Sequence, residues 1–394
     1  MSTGLITFAL GDQHSVLLKE DGSVWSTSIN FRGDTHRVPL VGKPFVPITI
    51  SGATAVAAGI GYSMLLKKYD SLWGMGQNYR GQLGDGTTKR RDSFSFVPVI
   101  PGAKAISAGG YHTMILTEEG SVWATGWNRH GQLGDGLSVY TSRFFVAVSS
   151  EEKVTAVAAG EHHSIILKQD GSVWATGWNK YGQLGDGSKE DRRFFAKVIS
   201  DGAAALYAGG YHSMVLKQDG SVWATGCNEN GQLGDGSRID QSSYMQVVST
   251  EAKTIAAGRR HTMMLKQDGS VWAAGDNTYG QLGIGAIIDT KIFVKVISDG
   301  AKAVAAGAFH SMVLAQGGSI WATGSNKSGQ FGDGSTTSKL KFVRVSPFAN
   351  GTRRHDYLRI LYCTSTVLSI YQRAWSSICL LVFHEIFISQ PQCI

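Results

Sequence analysis

Tryptophan recurs at an almost constant interval along most of this chain. Successive members of the series are 48, 50, 51, 49, 49 and 49 residues apart. The series comprises Trp25, Trp73, Trp123, Trp174, Trp223, Trp272 and Trp321. A fixed period of this length is typical of repeat architectures, in which each unit packs against its neighbours. Seven copies of one unit therefore fill residues 1–347, and we expect one domain where 394 residues alone would suggest two or three.

Other residues recur in step with the tryptophans. A histidine stands eleven residues before the tryptophan, replaced by Tyr62 in the second unit: His14, His112, His163, His212, His261 and His310. An asparagine stands five residues after it: Asn30, Asn78, Asn128, Asn179, Asn228, Asn277 and Asn326. The asparagine leads into a glycine-rich stretch, which in four units reads Gly-Gln-Leu-Gly-Asp-Gly.

The third unit shows how each repeat should fold. Residues 103–108 predict a small-residue strand, and residues 112–116 predict a second strand with alternating apolar side chains. Residues 121–126 predict the third strand and residues 144–148 the fourth. Asp-Gly pairs between the second and third strands of several units favour tight hairpins. No segment carries the apolar stripe of a helix, so we expect an all-β fold of four-stranded antiparallel sheets.

A single sheet of about 49 residues cannot bury both of its faces. Seven such sheets packed face to face around an axis can, and this predicts a seven-bladed β-propeller. Closing the ring also protects the edges that an open array of sheets would expose. The last unit stops at residues 342–345, and we expect the small-residue segment 4–10 to complete it.

The unit resembles the repeat of the regulator of chromosome condensation family. The third unit carries the motif as Gly109-Gly110-Tyr111-His112-Thr113, Gly120-Ser121-Val122-Trp123 and Asn128-Arg129-His130-Gly131-Gln132-Leu133-Gly134. The resemblance implies a seven-bladed propeller. It implies less about function, because members include a nucleotide-exchange factor for a small nuclear GTPase, a plant ultraviolet photoreceptor, bacterial β-lactamase-inhibiting propellers and propellers attached to ubiquitin ligases.

Departures from the family pattern reduce the number of family functions that we expect this chain to share. Thr125 and its counterparts in other units stand where the family usually has tryptophan. The photoreceptor resemblance requires tryptophan immediately before the histidine, and no unit has it, so a light-sensing tryptophan cluster is not expected. The exchange factor uses a wedge inserted between blades and a basic N-terminal arm, and a repeat spacing that never exceeds 51 leaves no room for the wedge.

Residues that recur in every unit are interpreted as architecture. We expect the histidines and tryptophans to pack in the core or between blades, with each imidazole N–H bonded to the backbone. Histidines on separate blades cannot form a metal site, and Gly-Asp-Gly carries too few carboxylates for calcium. Its aspartate should accept hydrogen bonds from amides of its own turn. Adjacent residues such as His163 and Ser164 point to opposite faces of a strand, so they cannot act together as base and nucleophile. Taken together, these patterns predict no catalytic residue, no metal and no cofactor.

Residues that differ between units are the candidates for specificity. In an antiparallel meander, the turn before the histidine and the loop after the asparagine emerge on the same face. Variable positions of that face are rich in tyrosine, tryptophan and arginine, which are enriched at interface hot spots. The predicted partner-binding residues are Tyr79, Arg80, Tyr111, Trp127, Arg129, His130, Trp178, Lys180, Tyr181, Tyr211, Arg259, Arg260, Tyr279 and Phe309. We expect a non-enzymatic protein–protein interaction scaffold, with Trp127 and Trp178 as its main contacts.

Two other functions stay open. Arg259-Arg260, with basic runs at residues 89–91 and 192–193, would form the contact surface of a nucleic-acid or chromatin protein, although acidic residues lie among them. The net charge of +7 permits such a partner without requiring one. The second alternative is guanine-nucleotide exchange or other regulation of a small GTPase, which the family resemblance implies.

The repeat pattern ends after Pro347. Residues 348–394 contain three of the four cysteines and an apolar run at residues 378–383 that is too short to span a bilayer. We expect this C-terminal tail to be poorly ordered. Cys227 is the one cysteine within the repeats, and the N-terminal sequence has no signal-peptide pattern. These features predict a monomer in the cytoplasm or nucleus, with no membrane span.

Overall fold

The computed structural model describes residues 6–27, 44–48, 50–69, 71–98, 100–137, 139–149 and 153–345. These residues form 28 β-strands and no helix. The strands make seven separate sheets of four, and each strand pairs with its neighbours along the chain. The pairs are antiparallel, so every sheet is a simple meander. The seven-bladed propeller predicted from the repeat period is confirmed.

The blades follow one another in chain order. Blade 1 comprises β1 (Ile6–Leu10), β2 (Ser15–Lys19), β3 (Val24–Ser26) and β4 (Val46–Ile48). Blade 2 comprises β5 (Ala53–Ala58), β6 (Tyr62–Lys67), β7 (Leu72–Gly76) and β8 (Arg91–Val97). Blade 3 comprises β9 (Ala103–Ala108), β10 (His112–Thr117), β11 (Val122–Trp127) and β12 (Thr141–Ser149). Blade 4 comprises β13 (Val154–Ala159), β14 (His163–Lys168), β15 (Val173–Gly177) and β16 (Arg192–Ile199).

Blades 5 to 7 repeat the same plan. Blade 5 comprises β17 (Ala203–Ala208), β18 (His212–Lys217), β19 (Val222–Gly226) and β20 (Gln241–Val248). Blade 6 comprises β21 (Ala252–Ala257), β22 (His261–Lys266), β23 (Val271–Gly275) and β24 (Thr290–Ile297). Blade 7 comprises β25 (Ala301–Ala306), β26 (His310–Ala315), β27 (Ile320–Gly324) and β28 (Lys339–Val345).

The first strand of each blade lies innermost. The last residue of that strand and the glycine after it line a central channel in all seven blades, as Ala108 and Gly109 do in blade 3. Small side chains are needed here because seven strands converge on one axis and their packing leaves little volume. The alanine-rich composition of these strands is therefore a consequence of their position.

The hydrophobic core is divided among the seams between neighbouring blades. Met114 and Leu116 of β10 pack against Val157 of blade 4, whereas Ile115 between them packs against blade 2. Successive residues of a strand point to opposite faces of the sheet, so each blade contributes to two seams. This explains why the second strands read as continuous apolar runs rather than alternating ones.

Backbone contacts join the blades at the outside of the ring. Asp135 in the glycine-rich loop of blade 3 forms an isolated bridge with Phe194 in the outermost strand of blade 4. The amide of Gly136 donates to the carbonyl of Arg193 at 3.0 Å. Equivalent bridges are Asp186–Ser243, Asp235–Ile292 and Ile284–Lys341. The repeated loop therefore holds the next blade in place as well as shaping its own.

Blade 7 packs directly on blade 1 to close the ring. Phe8 and Phe45 of blade 1 share a core cluster with Met312 of blade 7, and Pro44 forms a backbone bridge with Asp333. The prediction that residues 4–10 complete the last blade is wrong, because β1 pairs with β2 and blade 7 has four strands of its own. A unit that starts with its innermost strand and ends with its outermost one is already complete.

Several predictions concern residues that the structure does not describe. The tail at 348–394, the domain boundary at 347 and the first-unit asparagine Asn30 lie outside the described residues. Cys227 is buried and is a free thiol. Within the described ranges, no helix is long and apolar enough to cross a membrane.

Candidate protein-interaction face

Two kinds of connection lie on the same side of the ring, as predicted. They are the turns between first and second strands and the loops between third and fourth strands. In blade 3 the amide of Trp127 donates to the carbonyl of Tyr111 at 2.9 Å, and in blade 4 Trp178 bonds to His162 at the same distance. We call this side the variable face. The hairpins and the links between blades meet on the opposite face.

In the six units whose asparagine the structure describes, this residue shapes the loop on the variable face. Oδ1 of Asn128 accepts from the amide of Leu133 at 3.0 Å, and Nδ2 donates to the carboxylate of Asp135 at 2.9 Å. Asp135 also accepts from the amide of Leu137 at 3.0 Å, which confirms that the Gly-Asp-Gly aspartate bonds its own turn. The two residues after the asparagine are therefore presented on a loop that hydrogen bonds of Asn128 and Asp135 hold in shape.

The repeated histidines join neighbouring blades. Nε2 of His112 lies 2.9 Å from the hydroxyl of Ser164 in blade 4, and that hydroxyl donates to the backbone oxygen of Gln132 in blade 3 at 2.7 Å. The same contact occurs at His14–Ser63, His163–Ser213, His212–Thr262, His261–Ser311 and His310–Ser15. We call these six buried side chains the seam histidines. The predicted bond from the imidazole to the backbone is wrong for the five other than His14, because a hydroxyl of the next blade is the partner and itself donates to a backbone carbonyl.

The protonation of the seam histidines follows from this arrangement. Since the serine hydroxyl gives its proton to a carbonyl, it accepts from the imidazole, and Nε2 carries the proton. Burial lowers the pKa of His112 and of His163 to about 3, so both are neutral at neutral pH. His163 bonds Ser213 and not the adjacent Ser164, as strand alternation predicts. Ser164 and Ser213 are fully buried in the seams and donate their hydroxyl protons in hydrogen bonds to backbone carbonyls, so neither is placed to meet a substrate.

Threonine and tryptophan also connect blades. The hydroxyl of Thr176 lies 3.0 Å from the carbonyl of Gly131 in the preceding blade and 2.9 Å from that of Arg192 in its own outermost strand. Threonines that do the same are Thr125, Thr225 and Thr323. Trp223 packs against the seam of blades 4 and 5, which confirms the predicted packing between blades. The threonine hydroxyl therefore joins two blades at the position where the resembled repeat usually has tryptophan.

The predicted site residues form an arc across the variable face. Trp127 and Trp178 are half-buried near its centre. Ring contacts are Tyr111–Trp127 at 5.7 Å, Trp127–His130 at 5.7 Å, His130–Trp178 at 5.6 Å, Trp178–Tyr181 at 5.4 Å, Trp178–Tyr211 at 5.8 Å and Tyr279–Phe309 at 5.2 Å between centroids. Arg259 lies 5.8 Å from both Tyr211 and Phe309 and so connects the two ends. Tyr79 and Arg129 are exposed and have no ring or ion-pair contact with the described residues.

His162 lies between the two tryptophans and is not among the predicted site residues. Its imidazole centroid is 4.9 Å from that of Trp127 and 5.4 Å from that of Trp178. It also stacks on Tyr111, 6.1 Å away with an interplanar angle of 12°. Burial lowers the pKa of His162 to about 4, and His130 acts in the same direction. A neutral imidazole therefore fills the centre of the arc.

The sequence signal for His162 was its position. It precedes the seam histidine His163, at the place where blades 3 and 5 have the predicted site residues Tyr111 and Tyr211. The comparison of units at this position excludes tryptophan but does not mark His162 as an interface residue, because histidine is not among the tyrosine, tryptophan and arginine typical of hot spots.

Cations lie over the rings of the arc. The contacts are Arg80 over Trp127 at 5.2 Å, Lys180 over Tyr181 at 5.6 Å, Arg260 over Tyr211 at 5.6 Å and Lys327 over Tyr279 at 5.6 Å. Each distance is within the range in which a cation is attracted to the face of an aromatic ring. Basic and aromatic side chains are thus combined on this surface.

An ion pair crosses the mouth of the central channel. Arg259 of blade 6 donates to both carboxylate oxygens of Glu161 in blade 4, at 2.9 and 3.1 Å, and to the hydroxyl of Tyr211 at 3.1 Å. Glu161 is only 8% exposed. Burial opposes the charge of Arg259, but Glu161 and Tyr211 outweigh it and raise the pKa of the guanidinium. Arg259 is therefore held by the protein itself and is less accessible to a partner than the sequence implied.

The basic runs considered for nucleic-acid binding are partly paired within their own blades. Arg91 contacts Asp85 at 2.6 Å, and Arg192 contacts Asp186 at 2.7 Å. Both aspartates belong to the glycine-rich loops, so these arginines fasten the outermost strand to the loop. Among the described residues, no group of three or more His, Cys, Asp or Glu side chains is placed to hold a metal ion.

Comparison with known sequences identifies relatives along most of the chain. A family model described as RCC1-like domain matches residues 2–250. Models of the regulator of chromosome condensation (RCC1) repeat match residues 252–281, 301–330 and 268–314. The ultraviolet-B receptor UVR8 of Arabidopsis thaliana is 44% identical over 46 residues, 12% of this chain. The match spans about a tenth of the length of that curated relative.

Solved structures share the fold at low sequence identity. Human WBSCR16 is 21% identical with a TM-score of 0.71, covering 80% of this chain and 88% of that one. Prp20p of Saccharomyces cerevisiae is 18% identical with a TM-score of 0.68, covering 84% of this chain and 86% of that one. Prp20p is described as binding Gsp1p and histones. At these identities the likeness shows the shared propeller.

Proposed function

The chain belongs to the RCC1-like domain family, and from this premise we propose that it is a non-enzymatic module that binds a protein partner on its variable face. The observation that supports this most is the arc of half-buried rings around Trp127 and Trp178. Tryptophan, tyrosine and arginine together make up this arc, and these residues dominate the energetics of protein interfaces. A location in the cytoplasm or nucleus and a monomeric state are part of the same proposal.

The arc is suited to binding because it is already ordered. Trp127 contacts rings from its own blade and the next, and its loop is held by Asn128. Side chains that are fixed before a partner arrives lose little conformational entropy on binding. The rings also occupy positions that differ between units, so architecture does not require them: blades 5 and 6 have Cys227 and Asp276 where blades 3 and 4 have tryptophan.

Substitution of both tryptophans tests the proposal. We expect Trp127→Ala/Trp178→Ala to lose a protein partner that the unaltered chain retains in affinity capture, because each truncated hot-spot ring typically weakens binding by about 2 kcal/mol or more. Tyr69→Ala is the matched control, since Tyr69 is 94% exposed on a hairpin of the opposite face. Thermal melting of both variants checks that the ring stays folded. Equal capture by the double variant and the unaltered chain would contradict the proposal.

Regulation of a small GTPase by nucleotide exchange is the second candidate. The observation that favours it is the propeller shared with Prp20p, a protein described as binding Gsp1p. The repeat spacing of this chain, which never exceeds 51 residues, gives no support for an inserted wedge. Nucleotide release from purified small GTPases, measured with and without the chain, separates exchange from simple binding. The support for a chromatin partner is weaker than the support for a GTPase, because Arg91 and Arg192 form ion pairs within their own blades.

A further inference from the structure

We propose that the partner docks through an acidic segment that carries apolar side chains, and that this segment lies on the part of the variable face formed by blades 2 to 4. This inference rests on the proposed function and adds the chemistry of the partner. We call the surface the aromatic sector. It comprises Tyr111, Trp127, His130, His162, Trp178, Tyr181 and the adjoining Tyr211 of blade 5.

Cations without an ion pair among the described residues border the aromatic sector. Arg80, Lys180 and Arg260 lie over its rings, and Arg129 is exposed beside them. None of these four makes an ion pair with a carboxylate in the described part of the chain. A cation that rests on a ring is already positioned and partly desolvated. An incoming carboxylate can therefore pair with it at a smaller cost in side-chain entropy than at a mobile lysine.

The carboxylates of the sector are already engaged. Glu161 is bound by Arg259 through two hydrogen bonds. Asp191 accepts from the amide of Asn179 at 2.9 Å and contacts Nδ1 of His130 at 2.8 Å. Glu190 in the blade 4 loop is exposed but adjoins Lys189, and further acidic residues of the variable face belong to blades 5 and 6: Glu229, Asp240, Asp276 and Asp289. The cations that border the rings and have no ion pair among the described residues, Arg80, Arg129, Lys180 and Arg260, leave this surface mainly positive, and complementarity favours a negatively charged partner there.

The packing of the rings favours a protein segment over single-stranded nucleic acid. Tyr111 and Trp127 meet at 84°, Trp127 and His162 at 83°, and Trp178 and Tyr181 at 78°. In such edge-to-face contacts one ring covers the face of another, so few faces are left on which bases could stack. The exposed parts form an uneven apolar surface, which suits aliphatic or aromatic side chains of a peptide.

Selection from a library of short random peptides tests the proposal even though the natural partner is unidentified. The purified full chain is immobilised, and recovered peptides are sequenced and compared with the input. We expect an excess of Asp and Glu together with Leu, Phe or Trp, and binding that weakens as salt is raised. Arg129→Glu/Lys180→Glu should weaken the selected peptides by about tenfold or more, because two attractions become repulsions. Lys68→Glu/Lys153→Glu is the matched control on the opposite face and should leave binding unchanged.

The outcomes separate this inference from the proposed function. Recovery of peptides that depend on Trp127 and Trp178 but show no acidic excess would overturn the acidic class and leave the interaction face in place. Unchanged binding by the charge-reversal variant would do the same. Recovery of no peptide, with a random single-stranded RNA bound instead in a tryptophan-dependent manner, would overturn the peptide class. If Trp127→Ala/Trp178→Ala still captured the protein partner and still bound the selected peptides, the proposed function itself would be overturned.

Discussion

The serine or threonine that follows each repeated histidine stabilises the seam between two blades through its hydroxyl group. The Ser164 hydroxyl accepts a hydrogen bond from His112 of blade 3 and donates one to the carbonyl of Gln132 in the same blade. One small side chain thus satisfies two buried polar groups of its neighbour. Threonine does this equally well at Thr262, which bonds His212 and the carbonyl of Gln232. The methyl group is accommodated, so the hydroxyl is the part that matters.

Removal of that hydroxyl should therefore be costly. We expect Ser164→Ala to lower the free energy of unfolding by about 1–3 kcal/mol, because it leaves a buried imidazole N–H and a buried carbonyl without partners. Ser200→Ala is the control, since the Ser200 hydroxyl bonds only to exposed Asp201. Urea titration of the two variants measures the difference. A Ser164→Ala variant as stable as the control would show that water or another group replaces the hydroxyl.

The candidate site could be predicted residue by residue only in part. Trp127 and Trp178 are recognisable as candidates because they are large aromatic residues at a position that varies between units. The pairing of Arg259 with Glu161 was not, because the two are 98 residues apart and meet only when blades 4 and 6 face each other across the channel. Contacts across the ring depend on closed geometry, and a repeat pattern describes each unit without its distant partners.

At the level of the strand, Gly177 ends β15 in a conformation that side chains rarely adopt. Its φ is 105°, and a Cβ there would lie 2.6 Å from the carbonyl oxygen of His162. The glycine lets the turn of the variable face approach the end of the third strand closely enough for the Trp178–His162 backbone bond. The same glycine recurs at this point in other blades, so the approach belongs to the architecture.

Alanine at this position should strain both elements. We expect Gly177→Ala to destabilise the fold by about 3 kcal/mol or more, combining an unfavourable φ with a clash against backbone atoms that cannot move away. Gly300→Ala separates the two causes, because Gly300 has a φ of 74° and no atom within 4 Å of the added Cβ. That variant should lose only about 1 kcal/mol. Similar unfolding midpoints for the two variants would mean that the contact is relieved by a small backbone shift.

The elements themselves were largely predictable from the repeat. The innermost strand of blade 3 was predicted at residues 103–108 and is Ala103–Ala108. The outermost strand was predicted at 144–148 and is longer, Thr141–Ser149. Its extra residues pair beyond a break in register with β11, and such an irregularity leaves no clear mark in a single unit.

For the whole molecule, the six seam histidines make stability depend on pH. Their pKa values in the folded state are about 3, or about 4 for His14, because burial disfavours the charged form. The unfolded chain has histidines near 6.5 and so binds more protons below that pH. Stability should be constant above about pH 7 and fall as the pH drops from 6.5 towards 4, by up to about 1.4 kcal/mol per pH unit for each histidine.

Urea titrations between pH 7 and pH 5 measure this dependence. His163→Gln keeps a side-chain N–H that can reach Ser213 but removes one titrating group. We expect the free energy of unfolding of this variant to fall less steeply as the pH is lowered, because one fewer proton is taken up on unfolding. Stability that does not change over this range, or a variant with the same slope as the unaltered chain, would show that these histidines titrate equally in both states.

The seam between blades 7 and 1 differs from the other six, because the chain does not run from the outermost strand of one blade into the innermost strand of the next there. Phe8, Phe45 and the Ser15–His310 contact hold it by non-covalent forces alone. Opening at this point would leave every sheet intact and expose two apolar surfaces that fit each other. The ring can therefore part at this seam without any blade having to unfold.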